Sequence, residues 1–282
     1  HASMNRFCSI LLALCLCFTC TARAEDKAAP LRIAVVPYLT TSVLLKLFEP
    51  LRNQLEQALR RPVELYTAPD IRTHLKRIMR PEYDAVITAA HMGRLAQMEG
   101  GYVPVAGFES PLKGIITVHK DSSIHHIRDL KGRSIAVNDR LVLVSIVTLQ
   151  DLQQQGIKNS DVKLISSVTQ NSSLLSVARG DVDAAITAIF TLNQIPEAQR
   201  QDIRTIYTTE KLPNVMFLAS KRLPETEHRR MQEALTGFGK TSAGEQFFAT
   251  SGYNGIVPLT ESYMKAIDIY IPETRRILAS EP

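Results

Sequence analysis

The sequence predicts an α/β protein of two doubly wound lobes joined by a two-segment hinge. From Leu31 onward, short β-branched runs alternate with helical stretches of 3.6-residue period, which is typical of parallel sheets covered by helices on both faces. Two turn-rich segments, Glu109–Gly114 and Lys211–Asn214, interrupt this alternation and predict two paired crossings between the lobes. Lobe one then comprises residues 31–114 and 211–282, and lobe two comprises residues 115–210.

The first 24 residues have the pattern of an export signal. Residues 1–3 look like a cloning remnant, and the apolar run Phe7–Phe18 precedes a small-residue site, Ala22-Arg23-Ala24. We expect residues 4–24 to be a cleaved signal peptide that places the mature chain in the periplasm. The apolar run is shorter than the roughly 20 residues of a membrane span. An uncleaved anchor or a lipid on Cys20 is the alternative.

Composition and motifs exclude several classes of function. All four cysteines lie in the signal segment, at Cys8, Cys15, Cys17 and Cys20. The mature chain can therefore form no disulfide, thiolate metal site or cysteine nucleophile. The formal charge of +5 falls to about +3 without Arg6 and Arg23, and no basic run indicates nucleic-acid binding. No hydrolase, zinc-protease, phosphate-loop or dinucleotide motif occurs, so we expect no enzyme, no metal and no cofactor.

The pattern also places one long helix and nine strands. Apolar residues after the first strand recur at helical spacing, at Leu44, Leu47, Phe48, Leu51, Leu55 and Leu59. The β-branched runs predict strands at Arg32–Val36, Val63–Tyr66, Ala85–Thr88, Val103–Gly107, Ile115–His119, Ser134–Asn138, Val162–Ile165, Ala184–Thr187 and Val215–Ala219. Ligands of such folds bind at the carboxyl ends of strands, so the turns after these strands hold the candidate site residues.

The turn after the first strand supplies the first candidates, Tyr38, Thr40, Thr41 and Ser42. One of the three hydroxyl residues should cap the following helix, whose N–H groups would then point into the cleft. Capping alone is the alternative to ligand contact.

The turn after the third strand supplies His91. An imidazole at the start of a helix could donate a hydrogen bond to an anion or stack on a ligand. The alternative is a surface histidine whose hydrogen bonds are satisfied. Arg94, one turn further on, is expected on the helix surface.

In lobe two the candidates are Asn138, Asp139 and Arg140, followed one turn later by Ser145. The guanidinium of Arg140 could grip a carboxylate or a phosphate. The intervening aliphatic residues, Leu141–Val144, either line the cleft or pack in a core.

The last predicted strand of lobe two ends in Thr187, and Phe190 follows it. Both are candidate cleft residues. Asp183, which precedes the strand, is expected to hold a neighbouring turn.

Five segments occur in the order and spacing of a known family: RIAVVPY, DAVITAAHMGRLA, DLKGRSIAVND, ARGDVDAAITA and LPNVMFLASKRLP. With them the chain resembles the phosphonate/phosphite-type (PhnD-like) periplasmic substrate-binding proteins of ABC transporters. The resemblance covers Leu31 to Ala279, and DLKG and GDVDAA are its sharpest parts. It implies a type II periplasmic-binding fold that closes on its ligand.

Two departures from that family bear on the ligand. Phosphonate-binding members carry a Ser/Thr-rich run at the helix start where this chain has Leu141–Val144 before Ser145. They also carry a Gly-Pro and an aromatic residue where this chain has His91–Arg94. An apolar lining at these places favours an organic ligand or a less hydrogen-bonded anion.

We therefore expect a non-enzymatic periplasmic protein that captures a small anionic ligand and docks on an ABC permease. It would contact the membrane only through that partner. A sensor of the same fold, which presents its closed form to a histidine-kinase ectodomain, is the alternative. A hydrolase or transferase with His91 as its base is a third.

Overall fold

The structure is a computed structural model that describes residues 28–80 and 82–280. The predicted cloning remnant and signal peptide lie outside the described residues. Within the described part of the chain, no helix has both the length and the apolar character needed to cross a bilayer.

The strands of the described residues are β1 (Leu31–Val35), β2 (Val63–Tyr66), β3 (Ala85–Thr88), β4 (Tyr102–Glu109), β5 (Gly114–His119), β6 (Ser134–Val137), β7 (Lys163–Ser166), β8 (Ala184–Ala188), β9 (Ile203–Thr208), β10 (Met216–Ser220) and β11 (Gly255–Pro258). Each of the nine predicted strands matches one of these within two residues at either end. The sequence prediction missed β9 and β11.

The strands form two sheets of the same design. The six-stranded sheet of lobe one has the order β11-β4-β10-β3-β1-β2, and the five-stranded sheet of lobe two has the order β7-β6-β8-β5-β9. In each sheet three parallel strands are followed by one antiparallel strand that carries the chain from or to the other lobe. The chain enters lobe two between β4 and β5 and returns between β9 and β10.

The helices of the described residues are α1 (Thr41–Leu59), α2 (Ile71–Ile78), α3 (Ala90–Glu99), α4 (Leu143–Gln154), α5 (Gln170–Arg179), α6 (Glu197–Arg200), α7 (Glu225–Gly237), α8 (Ser242–Ser251), α9 (Glu261–Ala266) and α10 (Ile271–Ala279). In lobe one, α1, α7 and α8 cover one face of the sheet, and α2, α3, α9 and α10 cover the other. In lobe two, α4 and α5 cover opposite faces. The predicted doubly wound α/β architecture is confirmed.

The long helix α1 forms where its apolar stripe predicts it. Its stripe residues are buried against the sheet, with Leu47 partly exposed. Burial of each such leucine or phenylalanine contributes about 1.5–3 kcal/mol, which fixes the helix on the sheet and its N-terminus beside the end of β1.

Two chain crossings join the lobes, and hydrogen bonds tie them together. The amide N–H of Leu212 donates to the carbonyl of Leu112 at 2.7 Å. The side-chain amide of Asn214 donates to Ser110 Oγ at 2.5 Å. The two crossings therefore form one paired connection.

Candidate ligand-binding cleft

The carboxyl ends of the parallel strands in the two lobes meet at one place. His91, at the start of α3 and just after β3, lies with Nε2 2.6 Å from the carbonyl oxygen of Leu141, just after β6. The helix N-termini that follow β1, β3 and β6 are thus gathered where the lobes contact, which is the position of ligand sites in open α/β sheets.

The N-terminus of α1 is open. Thr40 occupies the cap position with an extended backbone, but its side chain accepts no hydrogen bond from the first turn. The prediction that a hydroxyl caps this helix is therefore wrong, because Thr40, Thr41 and Ser42 are exposed and water can satisfy the first N–H groups. Among the described residues these hydroxyls have no side-chain partner, so they are available to a ligand.

Tyr38 lies beside this helix start, with its ring about one third exposed (36%). Tyr253 donates to it with 3.4 Å between the two hydroxyl oxygens. Desolvation raises the pKa of Tyr38 to about 12. Tyr38 is therefore a neutral phenol, which can donate a hydrogen bond to an anion without repelling it.

Tyr253 is a site neighbour that the sequence analysis missed. It packs on Phe108, with 5.0 Å between ring centroids, and stacks on Phe247. A separation of 215 residues from Tyr38 leaves no local pattern that could reveal this contact.

His91 is fully buried, so the alternative of a histidine on the surface is wrong. A carbonyl oxygen only accepts, hence Nε2 carries the hydrogen and Nδ1 remains an acceptor with no partner in the described part of the chain. Burial lowers the pKa of His91 to about 4. The ring is neutral and holds the lobes together, and its use as a ligand contact stays a prediction.

Arg94 does not lie on the helix surface as expected. It is 8% exposed, and its Nε lies 2.6 Å from a carboxylate oxygen of Asp268. Its Nη1 lies 3.6 Å from Glu261. The reason is that the segment from α9 to α10 folds over α3 and supplies these two carboxylates.

The aliphatic residues after β6 pack between the lobes. Leu141 and Ile146 share an apolar cluster with Ile277 of α10. Leu143, Val144 and Val147 belong to the large apolar cluster of lobe one. We call these five lobe-two residues the interlobe seam. The sequence left open whether Leu141–Val144 line the cleft or pack in a core. The seam shows that they pack in a core, which the two lobes share.

The seam explains why the first two turns of α4 are buried on every side. Leu149 and Leu152 face the sheet of lobe two, while the seam residues face lobe one. A helical segment buried on all sides carries no polar stripe, and the exposed glutamines of α4 come only at its C-terminal end. Ser145, 2% exposed on this helix, is buried with it.

Asn138 and Asp139 stabilise the turn that leads into the seam. The side-chain amide of Asn138 donates to the carbonyls of Ser167 and Val168, at 3.2 and 2.9 Å. Asp139 accepts from the amide N–H of Leu141 at 2.8 Å. Ligand contact by either residue stays a prediction.

Unlike Asn138 and Asp139, Arg140 makes no side-chain hydrogen bond among the described residues. It is partly buried, and its Nε is shielded from solvent and has no hydrogen-bond partner within residues 28–80 and 82–280. A buried guanidinium N–H that lacks an acceptor is rare in folded proteins. The use of Arg140 as a ligand contact stays a prediction.

At the end of β8, Thr187 is fully buried and its hydroxyl has no partner among the described residues. Phe190 is 43% exposed and presents apolar surface at the same edge of the sheet. Asp183 accepts from the backbone N–H and the hydroxyl of Ser134, at 2.8 and 3.0 Å, so its predicted structural role is confirmed.

The turn after β7 also reaches this edge and was not considered in the sequence analysis. Val168 is 91% exposed there. Gln170 accepts from the amide N–H of Ala188 at 2.6 Å, which connects this turn to the end of β8. The strand itself was predicted, and the Thr169–Ser172 cap that starts the next helix is readable from the sequence.

The groups predicted at the cleft are of kinds that bind small molecules. Lobe one offers open helix N–H groups, three hydroxyls and a phenol, and lobe two offers a guanidinium and a phenyl ring. No three His, Cys, Asp or Glu residues are grouped for a metal ion in the part of the chain that the structure describes.

Comparison with protein families gives one match. Residues 33–264 match the family described as phosphonate ABC transporter, periplasmic substrate-binding protein. Comparison with curated proteins gives no significant match.

Solved structures share the fold. PhnD1 from Prochlorococcus marinus in complex with methylphosphonate has a TM-score of 0.77 at 14% identity, over 88% of this chain and 98% of that one. A Xanthomonas citri protein bound to ATP has a TM-score of 0.77 at 15% identity, over 90% and 100%. The aliphatic sulphonate binding protein SsuA from Escherichia coli has a TM-score of 0.65 at 18% identity, over 88% and 93%. These likenesses confirm the predicted two-lobed periplasmic-binding fold.

Proposed function

The chain belongs to the periplasmic substrate-binding proteins of phosphonate ABC transporters, and we propose that it captures a small organic anion between its lobes for delivery to a membrane permease. One observation carries the proposal. The open N-terminus of α1 follows strand β1 of lobe one, and Arg140, whose Nε has no partner among the described residues, follows strand β6 of lobe two. Helix N-termini and arginines are the groups with which proteins bind anions.

The cleft favours an anion with an organic part. Tyr38 and Phe190 present partly exposed rings at its two edges. The seam residue Leu141 is buried where a hydroxyl-rich loop would wrap an oxyanion. Solved relatives bind methylphosphonate or are named for aliphatic sulphonates, which supports a phosphonate or sulfonate head group on an organic substituent.

Ligand capture would proceed by lobe closure about the paired crossings. The hydroxyls of Thr40, Thr41 and Ser42 hold the ligand on lobe one, and Arg140 reaches it from lobe two. A ligand shifts the closed population only by the contacts it makes in the closed form and lacks in the open one. Those contacts are the ones across the cleft.

Export and partner follow from the same proposal. The segment of residues 4–24 would direct the chain to the periplasm, where the closed form docks on its permease. Contact with the membrane is then made by the permease alone.

A thermal-shift screen of residues 25–282 against alkyl phosphonates, alkyl sulfonates, carboxylates and inorganic phosphate tests the function. A ligand present at about one hundred times its dissociation constant should add roughly 2.7 kcal/mol of stability. The same ligand should reduce the radius of gyration in solution scattering. If no anion of the series changes the melting temperature, the proposed function is wrong.

Uptake of the ligand identified in the screen then tests the link to a permease. Deletion of the gene should abolish import of that compound by whole cells. If import persists and only a transcriptional response is lost, the protein is a sensor and the transport function is wrong.

A further inference from the structure

Arg140 lacks the partner that a partly buried cation normally has. Two other arginines that are partly or fully buried are paired, Arg94 with Asp268 and Arg204 with the carbonyls of Ser122 and Ile124. The Nε of Arg140 is shielded from water and donates to no atom of the described residues. Leaving such a donor unpaired costs free energy, which an incoming anion would recover.

A carboxylate of lobe one stands close to this guanidinium. Leu141, the next residue after Arg140, packs on Ile277 of α10. Glu273 lies one helical turn before Ile277 on the same face of that helix, so it points toward the turn that carries Arg140. Arg140 and Glu273 thus face each other from the two lobes.

Glu273 is already paired with another cation. Arg276 Nε donates to it at 2.8 Å, and a second hydrogen bond from the same guanidinium makes the pair bidentate. The hydrogen bond from Arg276, its charge and, less strongly, the charge of Arg140 lower the pKa of Glu273. Glu273 therefore stays ionised between two cations, and the three side chains together carry one net positive charge.

We propose that Arg140 binds the charge of the ligand and that Glu273 restricts the ligand to a single negative charge. This inference rests on the proposed function and names its substrate class. The net charge of these three side chains matches one anionic charge, and a second charge on the ligand would lie near the carboxylate of Glu273. Like charges at short range in a partly desolvated cleft are unfavourable, which excludes dianions by repulsion.

The class that fits is an organic monoanion, such as an alkyl sulfonate. A doubly ionised alkyl phosphonate of the same chain length is the matched competitor, since it differs by one charge at nearly the same shape. A difference in affinity between the two compounds therefore reports the effect of charge and not of size.

The first experiment is calorimetric titration of residues 25–282 with straight-chain alkyl sulfonates and the phosphonates of matching length. It is done at a pH where the phosphonates are doubly ionised. We expect the sulfonate of the best-fitting length to bind at least about tenfold more tightly than its phosphonate counterpart. Equal or tighter binding of the phosphonate overturns the inference, as does a series in which no sulfonate binds.

Variants assign the effect to the two residues. Arg140→Met should reduce sulfonate affinity about a hundredfold, and Arg140→Lys should restore part of it because the charge is kept without the planar fork. Glu273→Gln should increase the affinity for the phosphonate and so reduce the difference in affinity between phosphonate and sulfonate. Arg80→Met, at an exposed arginine after the end of α2, removes the same charge elsewhere and should change neither affinity.

Melting temperatures of all variants separate misfolding from lost contacts. Unchanged sulfonate affinity in a folded Arg140→Met protein contradicts the role of Arg140, although the proposed function would survive it. An unchanged phosphonate-to-sulfonate ratio in Glu273→Gln contradicts the charge limit. If no anion binds the wild-type protein, both the proposed function and this inference are wrong.

Discussion

His91 of lobe one and Leu141 of lobe two are joined by a hydrogen bond across the cleft. Its length is 2.6 Å from Nε2 to the carbonyl oxygen, and the imidazole is fully buried. With the interlobe seam beside it, this bond holds the lobes in contact. A ligand acts on the equilibrium between open and closed forms, and its apparent affinity depends on the population of the form that binds it.

Replacing His91 by alanine should destabilise the protein. The carbonyl of Leu141 would lose its donor in a buried place, which costs about 1–3 kcal/mol. Urea unfolding of the mature chain measures the change. His125→Ala, at an exposed histidine, is the matched control and should stay within about 0.5 kcal/mol of the wild type. A His91→Ala protein as stable as this control would contradict the contribution of the bond.

The stability of the protein should fall as the solution is acidified below neutrality. Burial lowers the pKa of both His91 and His74 to about 4 from the usual 6.5. The unfolded state then binds more protons than the folded state between these values, so stability is fully present above pH 6.5 and is lost as the pH falls toward 4. Each histidine contributes up to about 3 kcal/mol to this loss.

Urea unfolding between about pH 6.5 and 5 tests this, because few carboxylates titrate there. His91→Gln keeps a side-chain donor and removes the titration, so its stability should depend on pH about half as steeply as that of the wild type. A wild-type protein equally stable across this range would show that the two histidines are solvated.

The interlobe seam should control the shape of the ligand-free protein. Leu141→Ala removes a buried side chain between the lobes, and Leu152→Ala removes one inside lobe two. Both should lose about 2–5 kcal/mol of stability, because both leave a cavity. Only Leu141→Ala should increase the radius of gyration in solution scattering, since only it weakens the contact between lobes. Equal radii in the two variants would mean that the seam does not hold the lobes together.

Local patterns predicted the fold well where strands are buried on both faces. The missed strands are edge strands: β9 contains Arg204 and two threonines and is half exposed, and β11 begins with Gly255 and ends with Pro258. Gly255 and Pro258 are typical of turns, and they are tolerated in β11 because an edge strand pairs on one side only. The composition of β11 therefore does not predict a strand, whereas β9 is rich in β-branched residues and could have been predicted from its own sequence.

The cleft was predicted in outline, because the ends of predicted strands mark the edge of a sheet. Its contacts were not. A run such as Leu141–Val144 shows that its side chains are buried, but it does not show whether they pack within their own lobe or against the other. The partner Ile277 lies more than a hundred residues away and is known only from the folded chain.

The bond between Asn214 and Ser110 should determine how well the paired crossings position the lobes. Asn214 Nδ2 donates to Ser110 Oγ at 2.5 Å, and Asn214 Oδ1 accepts from the amide N–H of Val215 at 2.8 Å. Asn214→Ala leaves these groups unpaired at a site 9% exposed, which should cost about 1–3 kcal/mol.

The Asn214→Ala variant should also release its ligand faster. In the variant the crossings would become ordered only on ligand binding, and the free-energy cost of that ordering would lower the affinity. Stopped-flow dissociation of the anion identified in the thermal-shift screen measures the rate, and Asn53→Ala on the exposed side of α1 is the matched control. A variant that loses stability but keeps the wild-type dissociation rate would show that the crossings move as one unit without this bond, and that the lobes are positioned by the seam alone.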